Sequence, residues 1–120
     1  MRRRDLLGPW GEALACEHLR RQGCRIVACN YRSRFGEIDV IAQNRKFLIF
    51  AEVKLRKTAQ YGAACEFVDA RKQGRLRQTA LIWLEQHETA LQPRFDVIEI
   101  YAPDGMETKK PVIRQLEDAF

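Results

Sequence analysis

The stretch Phe47-Leu48-Ile49-Phe50-Ala51 limits the fold more than any other. It is apolar on both of the faces between which a strand alternates, so a strand built from it has to be covered on both sides. That requires packed layers above and below the sheet, which points to an α/β architecture. The run then passes straight into Glu52 and, two residues on, Lys54. A carboxylate and an ammonium at the end of a buried strand are costly unless they find partners or reach a rim open to water.

The rest of the chain supplies the covering layers. Trp10 to Gln22 reads as a helix with Trp10, Ala13, Leu14, Ala15 and Leu19 on its apolar face and Gly23 as its stop. Cys24 to Tyr31 reads as a first strand, Gly36 to Gln43 as a second, and Lys46 to Arg56 as a third. The Asn44-Arg45 turn pairs the last two as an antiparallel hairpin. Thr58 to Cys65 is a loop containing Gly62, and Phe67 to Glu88 a long helix. That helix has Val68, Leu76, Ala80, Leu81, Trp83 and Leu84 on its apolar side, and Gly74 inside it at a cost of roughly 1 kcal/mol against alanine. Arg94 to Tyr101 alternates as a fourth strand, Pro103-Asp104-Gly105 is a turn, and Pro111 to Phe120 has room for a short final strand. The order α-β-β-β-α-β predicts a mixed central sheet flanked by helices, the fourth strand parallel to one of the first three. A chain of 120 residues predicts a single domain over 1–120, with residues 1–8 as a flexible basic arm.

Twenty-one basic against 16 acidic residues leave a net charge of +5 and a pI near 9.3, which favours a polyanionic partner, nucleic acid first. Cys16, Cys24, Cys29 and Cys65 form no C-x-x-C, and His18 and His87 stand far apart, so the expectation is reduced, mostly buried thiols rather than a zinc site. The start MRRRDLLGPWGEAL has no apolar segment of signal-peptide type. No apolar run approaches the ~20 residues that span a bilayer, so the expected location is the cytoplasm, without a membrane partner.

Chemistry concentrates on the hairpin. With a side-chain period of two, Glu52 and Lys54 share the face of Leu48 and Phe50, and Asp39 lies on the neighbouring strand among Ile38, Val40, Ile41 and Ala42. Two carboxylates so placed call for a cation among them. Mg²⁺ or Mn²⁺ fits, held by Asp39, Glu52 and a backbone carbonyl near Val53, with water and phosphate oxygens completing its shell. Such a centre hydrolyses phosphodiesters, with Lys54 stabilising the charge that develops. The other reading is an ion pair of Glu52 with Lys54 or Arg56 at the strand's exposed end. Glu37 shares the face of Asp39, either as a supporting group or as a solvated charge. Arg32, Arg34, Arg56 and Lys57 lie near the site in sequence, and Arg71, Lys72, Arg75 and Arg77 cluster in the second helix. These are candidate phosphate contacts, Lys72 and Arg75 sharing a helix face. Tyr31, Phe35 and Tyr61 are candidates for stacking on unpaired bases or for the core.

The pattern Gly36-Glu37-Ile38-Asp39, then Phe50-Ala51-Glu52-Val53-Lys54, then Arg56, resembles the PD-(D/E)xK nuclease signature. More closely it is similar to the YraN-like family of uncharacterised bacterial proteins, predicted endonucleases related by fold to archaeal Holliday junction resolvases. Gly11-Glu12 with Ala13, Asn30-Tyr31-Arg32, Lys72-Gln73 with Arg75-Leu76, Arg94-Phe95-Asp96-Val97 and the closing Ala119-Phe120 extend the likeness along almost the whole chain. The proline of the wider motif is absent, Ile38 holding its place, and Ala51 stands where the family often has valine. The resemblance implies a restriction-endonuclease-like fold. It implies Asp39 and Glu52 as metal-binding acids, Lys54 as the catalytic lysine, Glu12 as a helix-borne acid joining the site, and Gln73 as a polar group on the following helix. The activity implied is metal-dependent endonucleolytic cleavage of DNA, branched or otherwise structured, by a homodimer. A nucleic-acid-binding module that does not cut and a protein-interaction adaptor are the rival readings.

Overall fold

The computed structural model describes residues 6–57 and 68–120. The three arginines of the basic arm, the expected loop with Tyr61, Gly62 and Cys65, and the expected helix start at Phe67 lie outside the described residues.

The first helix, α1, spans Leu7–Arg21, three residues longer at its start than the apolar pattern indicates. Pro9 is compatible with this because the first turn's N–H groups have no intrahelical acceptor to lose. Ala15, Cys16 and Leu19 are its buried side chains, while Ala13, expected on the apolar face, is exposed. Gly11 lets the helix approach the sheet closely: a Cβ there would stand 3.1 Å from the Leu55 side chain. After α1 the chain turns at Gly23, whose φ of +90° suits glycine.

Strands β1 (Arg25–Arg32), β2 (Glu37–Gln43) and β3 (Phe47–Arg56) follow. Between β2 and β3 the Asn44 side chain accepts from the backbone N–H groups of Lys46 and Phe47 at 2.9 and 2.8 Å, closing the expected hairpin. The second helix, α2, spans Ala70–Gln86 and is capped by Asp69, whose carboxylate accepts from the Lys72 N–H. Its buried residues are Leu76, Thr79, Ala80 and Trp83. Leu81, placed on the apolar side by the sequence, points outward at 58% exposure. Strand β4 (Gln92–Tyr101), a short 3-10 turn at Gly105–Glu107 and β5 (Val112–Leu116) complete the chain.

The sheet runs β1-β2-β3-β4-β5, parallel only between β3 and β4 and antiparallel elsewhere. The fourth strand is thus parallel to one of the first three, as the crossover predicts, and that strand is the third. β3 is central, and its residues Leu48 to Glu52 are buried. Its Ile49 and Ala51 pack with α1 on one face, and its Leu48 and Phe50 pack with α2 on the other. Each large side chain so enclosed contributes about 1.5–3 kcal/mol. Among the described cysteines Cys16 and Cys24 are buried, but Cys29 is exposed because β1 is an edge strand.

Gly74 lies in α2 with nothing within 4 Å of where a Cβ would stand. Close packing is therefore not its reason. Gly74→Ala is expected to raise stability by roughly 0.5–1 kcal/mol, since the alanine loses less backbone entropy on folding. A urea midpoint that moves up at unchanged slope would bear this out; a lower midpoint would contradict it.

Candidate active site in a sheet fork

The site begins with a slip in strand alternation. Val40 packs on the α1 face, yet Ile38, two residues away, packs on the α2 face. Asp39 lies at the slip. Across the ladder, between the pairs Cys29–Val40 and Tyr31–Ile38, stands Asn30 with φ +54°. Asparagine tolerates that left-handed conformation better than most side chains. On its other side β2 leaves β3: the ladder between them ends at Val40–Ala51. Past that point the Asp39 carboxylate takes the place of a backbone acceptor, receiving the Val53 N–H at 2.8 Å. The two strands therefore open into a fork, with Asp39 on one prong and Glu52 on the other.

A cavity of about 370 Å³ fills the fork, lined by Gly36, Glu37 and Asp39 from one prong, Glu52 from the other, and Lys72, Arg75 and Leu76 from α2. Glu52 is only 7% exposed. It receives the Lys72 ammonium at 2.5 Å and has Lys54 at 3.5 Å. Burial and the adjacent Glu52 carboxylate push the Asp39 carboxyl up to about 7 against the bond from Val53, with Glu12 and Glu37 adding to the rise. Burial and the neighbouring Lys72 pull Lys54 below the usual lysine value against the attraction of Glu52. On Lys72 burial acts downward too, but the bonds with Glu52 and Lys54 outweigh it and hold the ammonium above its usual value.

The expected trio of Asp39, Glu52 and Lys54 is thus assembled at one place. Among the described residues no group of three His, Cys, Asp or Glu side chains is arranged to hold a metal ion. Two carboxylates with an Asp39 short of compensating charge nonetheless suit a hard divalent cation, since Mg²⁺ commonly takes one or two carboxylates and fills its shell with water and phosphate oxygens. Glu12 does not line the cavity, though it adds to the rise of the Asp39 carboxyl. The Glu12 carboxylate is held by the Asn30 amide at 2.7 Å. Glu37 lines the cavity, with Arg32 at 3.5 Å from its carboxylate. Gln73 uses its side-chain amide to hold the Val68 carbonyl at 2.8 Å, bracing the entry to α2.

The basic residues separate into groups. Arg75 lines the cavity, and Arg71 and Arg75 are exposed on α2. Arg32, Arg34 and Lys57 are exposed, the Arg34 guanidinium lying 4.8 Å over the Phe35 ring. Arg56 is mostly buried and pairs at 3.3 Å with the fully buried Glu99, which also accepts from the Tyr101 hydroxyl at 2.9 Å. Tyr31 meets the edge of Trp83 with ring centroids 5.1 Å apart, which is core packing. Lys72, expected as a phosphate contact, turns out to be bonded to Glu52. Asn30, which the sequence marks only as part of a motif, tethers Glu12. An asparagine inside an apolar strand was the available signal, since that residue type tolerates positive φ.

Asp39 makes stability depend on pH. The native carboxyl keeps its proton to about 7, whereas its ordinary value is 3.8. Between those values the folded state holds more protons than the unfolded one, so stability falls as pH rises through that window. Asp39→Asn, still able to accept from Val53, is expected to be more stable than wild type at pH 8 by about 1–3 kcal/mol, with the gap closing toward pH 4. Denaturation curves at both pH values test this, and a gap independent of pH would contradict it.

A family model described as "Uncharacterised protein family UPF0102" matches residues 11–100. A UPF0102 protein of Paenarthrobacter aurescens is 46% identical over 101 residues, covering 83% of this chain and 84% of the relative. One of Nocardia farcinica is 41% identical over 118 residues, covering 98% of this chain and 91% of the relative. One of Renibacterium salmoninarum is 39% identical over 117 residues, covering 97% and 99%. No activity is stated in these names.

Proposed function

The chain belongs to the uncharacterised protein family UPF0102, and from its sheet fork we propose that it is a metal-dependent nuclease that hydrolyses phosphodiester bonds in DNA. The observation that carries this reading is the meeting of Asp39 and Glu52 in one open cavity, with Lys54 and Lys72 against Glu52. Asp39 and Glu52, with the Val53 carbonyl, would hold Mg²⁺ or Mn²⁺. When bound, such an ion supplies Lewis acidity and lowers the pKa of water.

The protein's own groups do the remainder. Val53 N–H fixes the Asp39 carboxylate from one side. Lys72 neutralises Glu52 and, when a cation takes over that task, is free to meet a substrate phosphate. Lys54, partly buried beside Glu52, stabilises the negative charge that builds up on the phosphate in the transition state. Arg75 at the cavity wall and Arg71 beyond it position the backbone of the nucleic acid, which carries no sequence information and makes binding depend on salt. Leu76 gives the cavity one apolar wall.

Calorimetry with Mn²⁺ on wild type and on Asp39→Ala plus Glu52→Ala, joined to a cleavage panel of linear, flapped and four-way DNA, tests the proposal. It predicts a metal-binding heat lost in the double variant and cutting that needs both metal and the two carboxylates. DNA binding without either would overturn catalysis in favour of a non-cutting binding module. Absence of metal and DNA binding alike would leave the adaptor reading.

A further inference from the structure

We propose that Cys16 and Cys29 form a reversible dithiol–disulfide couple, oxidised by hydroperoxides, that cross-links α1 to β1 beside the candidate site. Their sulfurs lie 3.8 Å apart, in direct contact. They come from different elements, so a bond between them would be a tertiary staple and not a local loop. No other chemistry described above uses either thiol.

The two positions divide the work. Cys29 is exposed on the edge strand β1, where an oxidant in solution can reach it. Cys16 is 6% exposed, under α1. Burial and the adjacent Cys29 push the Cys16 thiol up to about 11, which keeps it from reacting first. In the first step the Cys29 sulfur attacks an oxygen of the hydroperoxide. The O–O bond breaks, the alcohol or water leaves, and Cys29 becomes a sulfenic acid. In the second step the Cys16 sulfur attacks the Cys29 sulfur. The S–S bond forms, the S–O bond breaks, and the departing hydroxide leaves as water with the proton of Cys16. Overall two thiols lose two hydrogens and one hydroperoxide is reduced to an alcohol, or water, and a further water. A thiol reductant reverses the process by exchange.

Position gives the couple a consequence. Glu12 stands one helical turn before Cys16, hence on the same face of α1. Asn30 directly follows Cys29 and donates to Glu12 at 2.7 Å. The sulfur contact and the Glu12 tether therefore bridge the same helix–strand junction. Closing the sulfurs to the ~2.05 Å of a disulfide shifts that junction and with it the Glu12 carboxylate, whose field reaches Asp39.

The test uses the full chain, hydrogen peroxide as probe, thiol counting and peptide mass mapping. The expected result is a Cys16–Cys29 linked peptide, a loss of two hydrogen masses per chain, and full recovery with dithiothreitol. Cys16→Ser is expected to stop at a Cys29 sulfenic acid trapped by dimedone, and Cys29→Ser to leave Cys16 unreacted. Oxidation of wild-type Cys29 past the sulfenic acid without a cross-link would overturn the proposal. So would linkage to Cys65 or between chains. These readouts do not involve cleavage, so they stand apart from the nuclease proposal.

Discussion

Lys54→Met is expected to slow metal-dependent DNA cleavage by about 10²–10³-fold, the range lost when one preorganised charge-stabilising donor is removed. Lys54 Nζ stands 3.5 Å from Glu52 and is partly buried, so water screens it less than it screens a lysine on the open surface. Lys72 remains on Glu52 at 2.5 Å, which keeps that carboxylate compensated and the fold of the variant intact. Single-turnover rates with saturating Mn²⁺ should therefore fall while the Kd for Mn²⁺ changes little. Lys54→Arg should recover part of the rate. A parallel loss of rate and metal affinity would mean that Lys54 acts by holding Glu52 in place. An unchanged rate would remove it from the chemistry.

The largest effect on stability is expected away from the fork. Asp96 is fully buried and accepts from Arg94 Nε and Nη2 at 2.9 Å each, from the Gln115 amide at 2.8 Å and from the Asp118 N–H at 3.0 Å. This cluster ties β4 to β5 and to the C-terminal segment. Arg94→Ala leaves a buried carboxylate with two neutral donors, which is expected to cost about 3–5 kcal/mol. Adding Asp96→Asn to it should restore a large share, because the uncompensated charge is then gone. Urea denaturation of the single and double variants checks both statements. A cost below about 1 kcal/mol would place the pair with solvent-exposed ion pairs, whose contribution is small.

The strands were legible because their apolar runs are long and their turns carry asparagine or glycine. The doubly covered state of β3 followed from Leu48 to Ala51, and a parallel fourth strand from the length of the crossover, whereas which of the first three strands it joins did not. The proximity of Asp39, Glu52 and Lys54 was legible because strand periodicity and the hairpin turn put them near one another, and because the motif resembles a known signature. What escaped the sequence were contacts between elements far apart along it. Lys72 meets Glu52 across 20 residues, so periodicity within α2 reveals its face but not its acceptor. Leu81 reads as apolar in a helical pattern, yet the face that packs is set by Leu76, Ala80 and Trp83, and Leu81 falls outside it. Arg94 and Asp96 read as alternating strand residues, and nothing local indicates that both are enclosed. The slip at Asn30 and Asp39 breaks the period on which strand reading depends, and its one local sign is an asparagine inside an apolar strand.

The carboxylate that closes the end of the β2–β3 ladder gives this protein a spectroscopic reporter. The Val53 amide proton is held by a side chain that titrates, not by a fixed carbonyl, so its NMR chemical shift and its exchange with solvent will follow the charge state of Asp39. One backbone resonance thus registers proton uptake or cation entry in the fork, without a substrate and without an assay of turnover.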